Sequence, residues 1–325
     1  VINRRAFLKL AGLSPFMVLP PLMPSSITTV TTQAEFDSVM AGGSQPGAII
    51  ILHGEFQLSQ FLSIAGTQEN PVRVFGGDAT LYGQLSIDGV HTHWHDLHVI
   101  APPEQYTVWM VREGTRLSHC DLAGGYIGVC WFGSGEGVIE DSHIHGTSGY
   151  GLYSHNHLGG LREIINCTFE NIGGYYGMHF YSDANRIRDY IVAGCTVDKP
   201  VIVHSGAEVS NVNFIENNFH SALKLGNGFS VSNKRQYIVT GNTFSGTEGI
   251  TVWSWSDLVM LDNVFDIEPA TWALNVHVRH GENEKNTLID NNSYAPGWFV
   301  IDNVDWINFE SWQAAGYDAN GVYIP

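Results

Sequence analysis

Histidine, tyrosine and lysine recur at alternate positions of short segments that align on one another along this chain. The segments are Gly128-Val-Cys-Trp-Phe132, Gly151-Leu-Tyr-Ser-His155, Gly177-Met-His-Phe-Tyr181, Val201-Ile-Val-His204, Ala222-Leu-Lys-Leu225, Gly249-Ile-Thr-Val-Trp253 and Ala273-Leu-Asn-Val-His277. Successive side chains of an extended strand point to opposite faces. Val, Leu, Met, Ile and Phe therefore take one side. The other side carries Tyr153 and His155, then His179 and Tyr181, then His204, Lys224, Trp253 and His277. Such a strip can stack aromatic rings on sugar faces and supply proton-transfer groups. Tyr153, His155, His179, Tyr181, His204 and Lys224 form the candidate catalytic set. Arg162, Arg186 and Arg188 in flanking segments are candidates for neutralising a substrate carboxylate, and Trp253 with Trp255 for an aromatic platform. The same residue types also suit a purely structural ladder, because His and Tyr fit half-exposed sheet.

Hydrolysis of a glycosidic bond requires two Asp or Glu groups about 5–9.5 Å apart. The strip has no such pair, although Asp183 follows Tyr181 and Glu163 or Asp189 can approach from another face. Elimination beside a uronic acid needs a base, an acid and a charge neutraliser, which His, Tyr, Lys and Arg provide without a carboxylate pair. A second cluster, His91-Thr-His93-Trp-His95-Asp96-Leu-His98, places histidines at alternate positions. His91 and His93 are its candidate zinc ligands, but His95 falls in a turn column and no fourth ligand is evident from spacing. No residue pattern requires a cofactor. There is no phosphate-cradling glycine loop before a helix and no nucleophile elbow.

The elements that hold these residues are strands of a repeat. A large apolar residue followed by a turn recurs at Leu97, Leu122, Ile144, Phe169, Val197, Phe219, Phe244, Phe265 and Tyr294. Period-two alternation runs between these markers, and no interval sustains a helical period. This predicts an all-β protein, a right-handed parallel β-helix of about ten coils, with each coil packing only on its neighbours. Two positions before each marker the chain reads His95, Cys120, Ser142, Cys167, Cys195, Asn217, Asn242, Asn263 and Asn292. Stacked coils bring equivalent residues about 4.8 Å apart. The asparagines should therefore form a ladder that bonds the backbone of their own and adjacent coils. Cys120, Cys167 and Cys195 read as small packing residues of that column, with a disulfide between Cys167 and Cys195 left open.

Thr32-Gln-Ala-Glu35 is a capping-box pattern leading into Phe36, Val39 and Met40, which predicts a short N-terminal capping helix. Pro46 to Leu52 reads as the first buried strand, and Phe309-Glu-Ser-Trp312-Gln as a terminal cap. Residues 26–325 are thus expected to form one β-helix domain. Residues 1–25 look like a twin-arginine export signal, with Asn3-Arg4-Arg5-Ala6-Phe7-Leu8-Lys9 followed by a weakly apolar stretch broken by Pro15, Pro20 and Pro21. That implies a bacterial protein acting in the periplasm or outside the cell. Among 325 residues, 32 are acidic and 15 are Lys or Arg, a formal charge of −17 that repels nucleic acid and anionic lipid and counts against a densely anionic polymer. No segment has the length and apolarity of a membrane span. The expected partner is a polysaccharide or oligosaccharide, met by a monomer.

Residues 46–100 resemble the opening coils of chondroitinase-B-like alginate lyases, through Pro46-Gly47, His53-Gly54-Glu55-Phe56, Gly66-Thr-Gln-Glu-Asn-Pro71 and Leu81-Tyr-Gly83. The resemblance implies a right-handed β-helix, a Lys base, an Arg acid and, often, bound calcium. Ser232-Asn-Lys234-Arg235 is similar to the segment carrying that lysine, offset by one residue. Where an Arg-His-Gly segment would follow, this chain has Trp253-Ser254-Trp255. A broader resemblance, over most of residues 46–320, is to exported bacterial right-handed β-helix repeat proteins. It rests on Gly149 to Asn156, Tyr176 to Tyr181 and the ending Trp312-Gln…Gly316-Tyr-Asp-Ala319. It implies fold and export and assigns no reaction.

Overall fold

Alternating β-branched and aromatic residues make strands of two to eight residues, and each turn of the chain lays down one strand in each of three sheets. The sheets hold 12, 12 and 11 strands among the residues that the computed structural model describes. These are 26–41, 44–59, 61–133, 135–156, 159–182, 186–205, 208–226, 235–253, 255, 257–268, 274–279, 286–301 and 305–324. The expected signal segment lies outside them, as do Asp183, Lys234 and Ser254. Sheet A runs from Ile27–Val30 to Asn286–Asp290, sheet B from Glu55–Gln57 to Val322–Tyr323, and sheet C from Leu85–Ile87 to Asp305–Ile307. All named pairings are parallel except Trp298–Ile301 with Asp305–Ile307, which closes sheet C antiparallel. The β-helix expected from the repeat is the fold observed.

Inside the coils the apolar columns form one continuous core from Val30 to Trp312. In sheet B the rings of Phe219, Phe244, Phe265 and Tyr294 stack coil on coil, with centroids 5.3, 4.8 and 4.9 Å apart. The helix Gln33–Met40 starts with the expected capping box and buries Phe36 and Met40 on the first coil, Phe36 stacking on Phe56 at 4.8 Å. A second helix, Phe309–Ala314, buries Trp312 against Phe299 and Tyr317 at the other end.

Sheet A passes to sheet B through a tight turn whose first residue is left-handed. Asp96, His119, Asp141, Asn166, Glu216, Asp262 and Asn291 have φ between 47 and 57°, and Gly194 and Gly241 fill the same place. Short polar residues and glycine dominate there because they tolerate this conformation. The ladder column follows immediately. Asn242 Oδ1 accepts both the N–H and the Nδ2–H of Asn217 at 2.9 Å, and Asn263 and Asn292 repeat the pattern upward. Asp318 ends the column by accepting from Asn292 N, Asn292 Nδ2 and Tyr294 Oη. The register pairs Leu122 with Val99, so Val99 is the marker of its coil, and Leu97 starts the column where His95 was expected. All four cysteines are buried and free, and burial pushes the Cys120 and Cys130 thiols up to about 12. All four are packing groups outside any disulfide, and the Cys120 and Cys130 thiols carry little thiolate.

The ladder gives a stability prediction. Asn242→Ala strands the buried Asn217 N–H and should cost about 2 kcal/mol, read from the urea midpoint. Asn242→Ser should recover part of that loss, because Ser142 already does this work by accepting from Cys120 N at 3.1 Å and donating to Glu140 O. Equal losses in the two variants would show that the ladder bonds are energetically idle.

Candidate functional site

Parallel stacking without register shift turns the alternating His and Tyr into two outward columns on sheet C. Tyr153 pairs with His179, His179 with Ile202, and Ile202 with Lys224. Beside them His155 pairs with Tyr181 and Tyr181 with His204. Glycines open these coils. A Cβ on Gly151 would lie 2.5 Å from the Gly177 carbonyl and 2.8 Å from Phe169, so the chain can turn in closely enough to bring the preceding tyrosine onto the strip.

The strip is continuous. Tyr153 meets His179 edge-on at 5.2 Å and Tyr181 at 6.1 Å, His155 stacks on Tyr181 at 6.0 Å, and His204 stacks on His179 at 5.7 Å. Phe132 closes one end against Tyr153 and His155. Tyr150 and Tyr176, stacked on each other at 6.0 Å, lie over His179 at 5.5 and 5.2 Å. Sequence reasoning missed Phe132, Tyr150 and Tyr176. The available signal was the tyrosine standing just before the opening glycine of two consecutive coils.

Enclosure sets the proton chemistry. His179 is 9% exposed, and among the described residues neither ring nitrogen has a hydrogen-bond partner. Burial first, then the neighbouring His204, lowers its pKa to about 4. Burial also lowers His204. Both imidazoles are therefore disposed to be neutral. Burial raises the Tyr150 phenol, with the neighbouring tyrosines adding to the effect.

The expected cationic partners are placed differently. Arg162 does not face substrate. Its side chain enters the coil interior, where Nη1 donates to Trp131 O and Ser154 Oγ and Nη2 to Gly133 O, with the guanidinium 4.7 Å from the Trp131 ring centre. Arg186 stands exposed on sheet A and pairs with Glu208 at 3.2 Å. Arg188 packs beside Gly159, where a Cβ would lie 2.9 Å from its Nε. Lys224 stays on the strip, with Nζ 3.3 Å from Glu248. The Trp253–Trp255 platform is not formed. Trp253 is half-buried and edge-on to His277, whereas Trp255 turns inward, 2% exposed, and donates to Thr287 Oγ1. Arg235, beside the expected lysine, is wholly buried and donates to Trp253 O. Glu163 belongs to sheet A, and Asp189 accepts from Asn211, so neither completes a carboxylate pair on the strip.

The histidine cluster at 91–98 does not converge. His91 lies in a left-handed turn before the strand Thr92–His95, and His95 bonds Ser118 and stacks on Phe75. Burial, then Arg116, lowers His93 to about 4. Among the described residues one group of three His, Cys, Asp or Glu side chains is placed to share a metal ion, and it is Asp121, His143 and His145 on sheet B. Its two imidazoles fit calcium poorly, because calcium takes oxygen ligands. Sequence reading missed this group, although His143-Ile-His145 puts both imidazoles on one strand face.

Fold and strip together define a right-handed parallel β-helix with an aromatic and imidazole surface. The family model described as the right handed beta helix region matches residues 106–265, the coils that carry the strip. A PL6 family polysaccharide lyase from Pseudopedobacter saltans has the same fold, with 11% identity, 91% of each chain covered and a TM-score of 0.51. An alginate lyase from Paenibacillus sp. aligns over 93% of this chain and 98% of its own, at 13% identity and a TM-score of 0.47. A mannuronic acid specific family 6 lyase from human gut microbiota aligns over 92% of this chain and 91% of its own, at 11% identity and a TM-score of 0.46. At such identities the likeness is one of fold. No curated protein matches the sequence significantly. Among the described residues no helix is long and apolar enough to cross a membrane.

Proposed function

We propose that the chain acts, after export and as a monomer, on a polysaccharide laid along the solenoid axis over sheet C, and that it cleaves it by lyase-like elimination. The observation that carries this reading is the unbroken row of rings from Phe132 through Tyr153, His155, His179 and Tyr181 to His204. A row parallel to the axis suits an extended polymer, and aromatic faces suit sugar rings. Elimination removes the proton beside a uronate carboxylate, the electron pair expels the glycosidic oxygen from the adjacent carbon, and that oxygen is protonated. His204, which burial disposes to be neutral, and His155 are the candidate bases, the Tyr153 and Tyr181 phenols the candidate acids, and Lys224, in the same outward column as His179, the candidate cation. That a PL6 family polysaccharide lyase from Pseudopedobacter saltans shares the fold supports this reading.

A second reading, a glycan-binding module without turnover, is favoured by the ion pairs that occupy Lys224 and Arg186. One experiment separates the two. The protein is incubated with neutral and uronic acid polysaccharides while ultraviolet absorbance and reducing ends are followed together. Absorbance and ends rising in step on a uronic acid polymer, and falling about 100-fold or more in His204→Ala, are the expected result. Reducing ends without absorbance would mean hydrolysis. Binding without either signal would replace the enzyme by the module.

A further inference from the structure

Sheet B carries an independent cluster on its outer face. The register stacks His98, Asp121 and His143 in one column, and places His145 beside Ala123 in the next. Glu170 pairs with His145 one coil on. The spacing is a direct consequence of the parallel coil. An outward position recurs every turn about 4.8 Å away, and an H-x-H pair puts two imidazoles on one face.

The contacts within the cluster are directional. Asp121 Oδ1 lies 2.9 Å from His145 Nε2 and 3.3 Å from His143 Nδ1. The other oxygen, Oδ2, is 2.7 Å from His98 Nδ1. On the far side His143 Nε2 is 2.9 Å from Glu170 Oε1. The His143 and His145 rings stack at 4.2 Å with only 17° between their planes. Asp121 thus faces three imidazole nitrogens, two at Oδ1 and one at Oδ2.

We propose that Asp121, His143 and His145 bind one divalent cation of the zinc class, with His98 and Glu170 orienting two of the three ligands. Ligand atoms from the three residues lie within 4.8 Å of one another. Tetrahedral zinc with bonds of about 2.0–2.1 Å needs neighbouring ligands about 3.3 Å apart, so small side-chain movements close the set. Glu170 accepts the Nε2 proton of His143 and leaves its Nδ1 lone pair for the metal. His98 donates to Asp121 Oδ2 and leaves Oδ1 for the metal. Carboxylate–histidine and histidine–carboxylate pairs of this kind are the supports that tune a metal site. Two nitrogens and one oxygen select zinc, copper, nickel or cobalt over calcium and magnesium. All three ligands are half-exposed, so the fourth position faces solvent and takes water.

The test uses the whole chain, stripped with a chelator and titrated with Zn²⁺ alone by calorimetry, with Co²⁺ absorption as the second readout. The expected result is one Zn²⁺ per chain and Co²⁺ bands of tetrahedral intensity. His143→Ala and His145→Ala should both lose the site, Glu170→Gln should weaken it about 10–100-fold, and Ca²⁺ should not compete. Because these side chains are half-exposed, the variants should keep the wild-type thermal unfolding, which is checked alongside. Affinity for Zn²⁺ unchanged in His143→Ala and His145→Ala, or no stoichiometric uptake by the wild type, overturns the proposal and leaves the cluster as a hydrogen-bonded ladder. The outcome is independent of any action on polysaccharide over sheet C.

Discussion

Replacing Arg162 by alanine should lower stability by about 3–5 kcal/mol. Arg162 is fully buried, and burial works to lower its pKa. Among the described residues no carboxylate partners it; the charge is carried by bonds to Trp131 O, Gly133 O and Ser154 Oγ and by the face of the Trp131 ring. Ser154 in turn bonds Tyr190 Oη at 2.7 Å, so the guanidinium sits at the centre of a network linking sheets A and C. Alanine removes every one of these donors and leaves a cavity in a close-packed core. Lysine keeps the charge, but one ammonium lacks the planar fork that spans both carbonyls, so Arg162→Lys should recover little. Methionine fills most of the volume without a charge to desolvate and should cost less than either. Urea denaturation of the three variants checks the order. A methionine variant as unstable as alanine would show that the bonds to the carbonyls dominate, and an alanine variant close to wild type would remove Arg162 from the energetics altogether.

Arg162 also shows where sequence reading stops. Period-two alternation and the recurring apolar marker made the parallel coil legible, and the Asn column announced its own ladder, because both are properties of residue type and spacing. Alternation likewise placed Tyr153, His155, His179, Tyr181 and His204 on one face. Whether an arginine turns in or out is not such a property. Arg162 opens its strand at a position that faces the interior, and only the Trp131 and Gly133 carbonyls at the end of the sheet C strand, which accept from the guanidinium, explain why a charge is tolerated there. Trp255 escaped for a similar reason, since its indole turns in where the neighbouring Trp253 stays on the rim. The sheet B cluster was hidden by distance. Asp121 and His143 belong to successive coils, and Leu97 stood as the marker of the coil before them where the true register uses Val99. That slip of two residues kept His98 out of its column.

Between pH 7 and pH 4 the protein should lose about 3 kcal/mol of stability through His179 alone. In the unfolded chain this imidazole titrates near its ordinary 6.5, whereas the folded protein holds it to about 4. Above 6.5 both states are neutral and the group contributes nothing. As pH falls through the interval the unfolded chain takes up a proton that the native state refuses, at about 1.4 kcal/mol per pH unit. Below 4 the native state is protonated as well and the loss levels off. His93 moves in the same direction, but it is half-exposed, and solvent screening shrinks its share. Asp78 and Asp121, held low by their histidine partners despite the raising effect of burial, withdraw their support only nearer the carboxylate range. His179→Phe isolates the effect. A phenyl ring fills the same aromatic enclosure and cannot titrate, so the variant should match or exceed the wild type at pH 5 and show a pH–stability slope reduced by about one proton. An unchanged slope would mean that His179 is not held neutral by the surrounding rings. The same variant bears on function. With both nitrogens enclosed, His179 is a wall and positioning residue for Tyr153, Tyr181 and His204. Turnover surviving in His179→Phe assigns proton transfer to the histidines at its side, and turnover lost with binding intact assigns it to His179 itself.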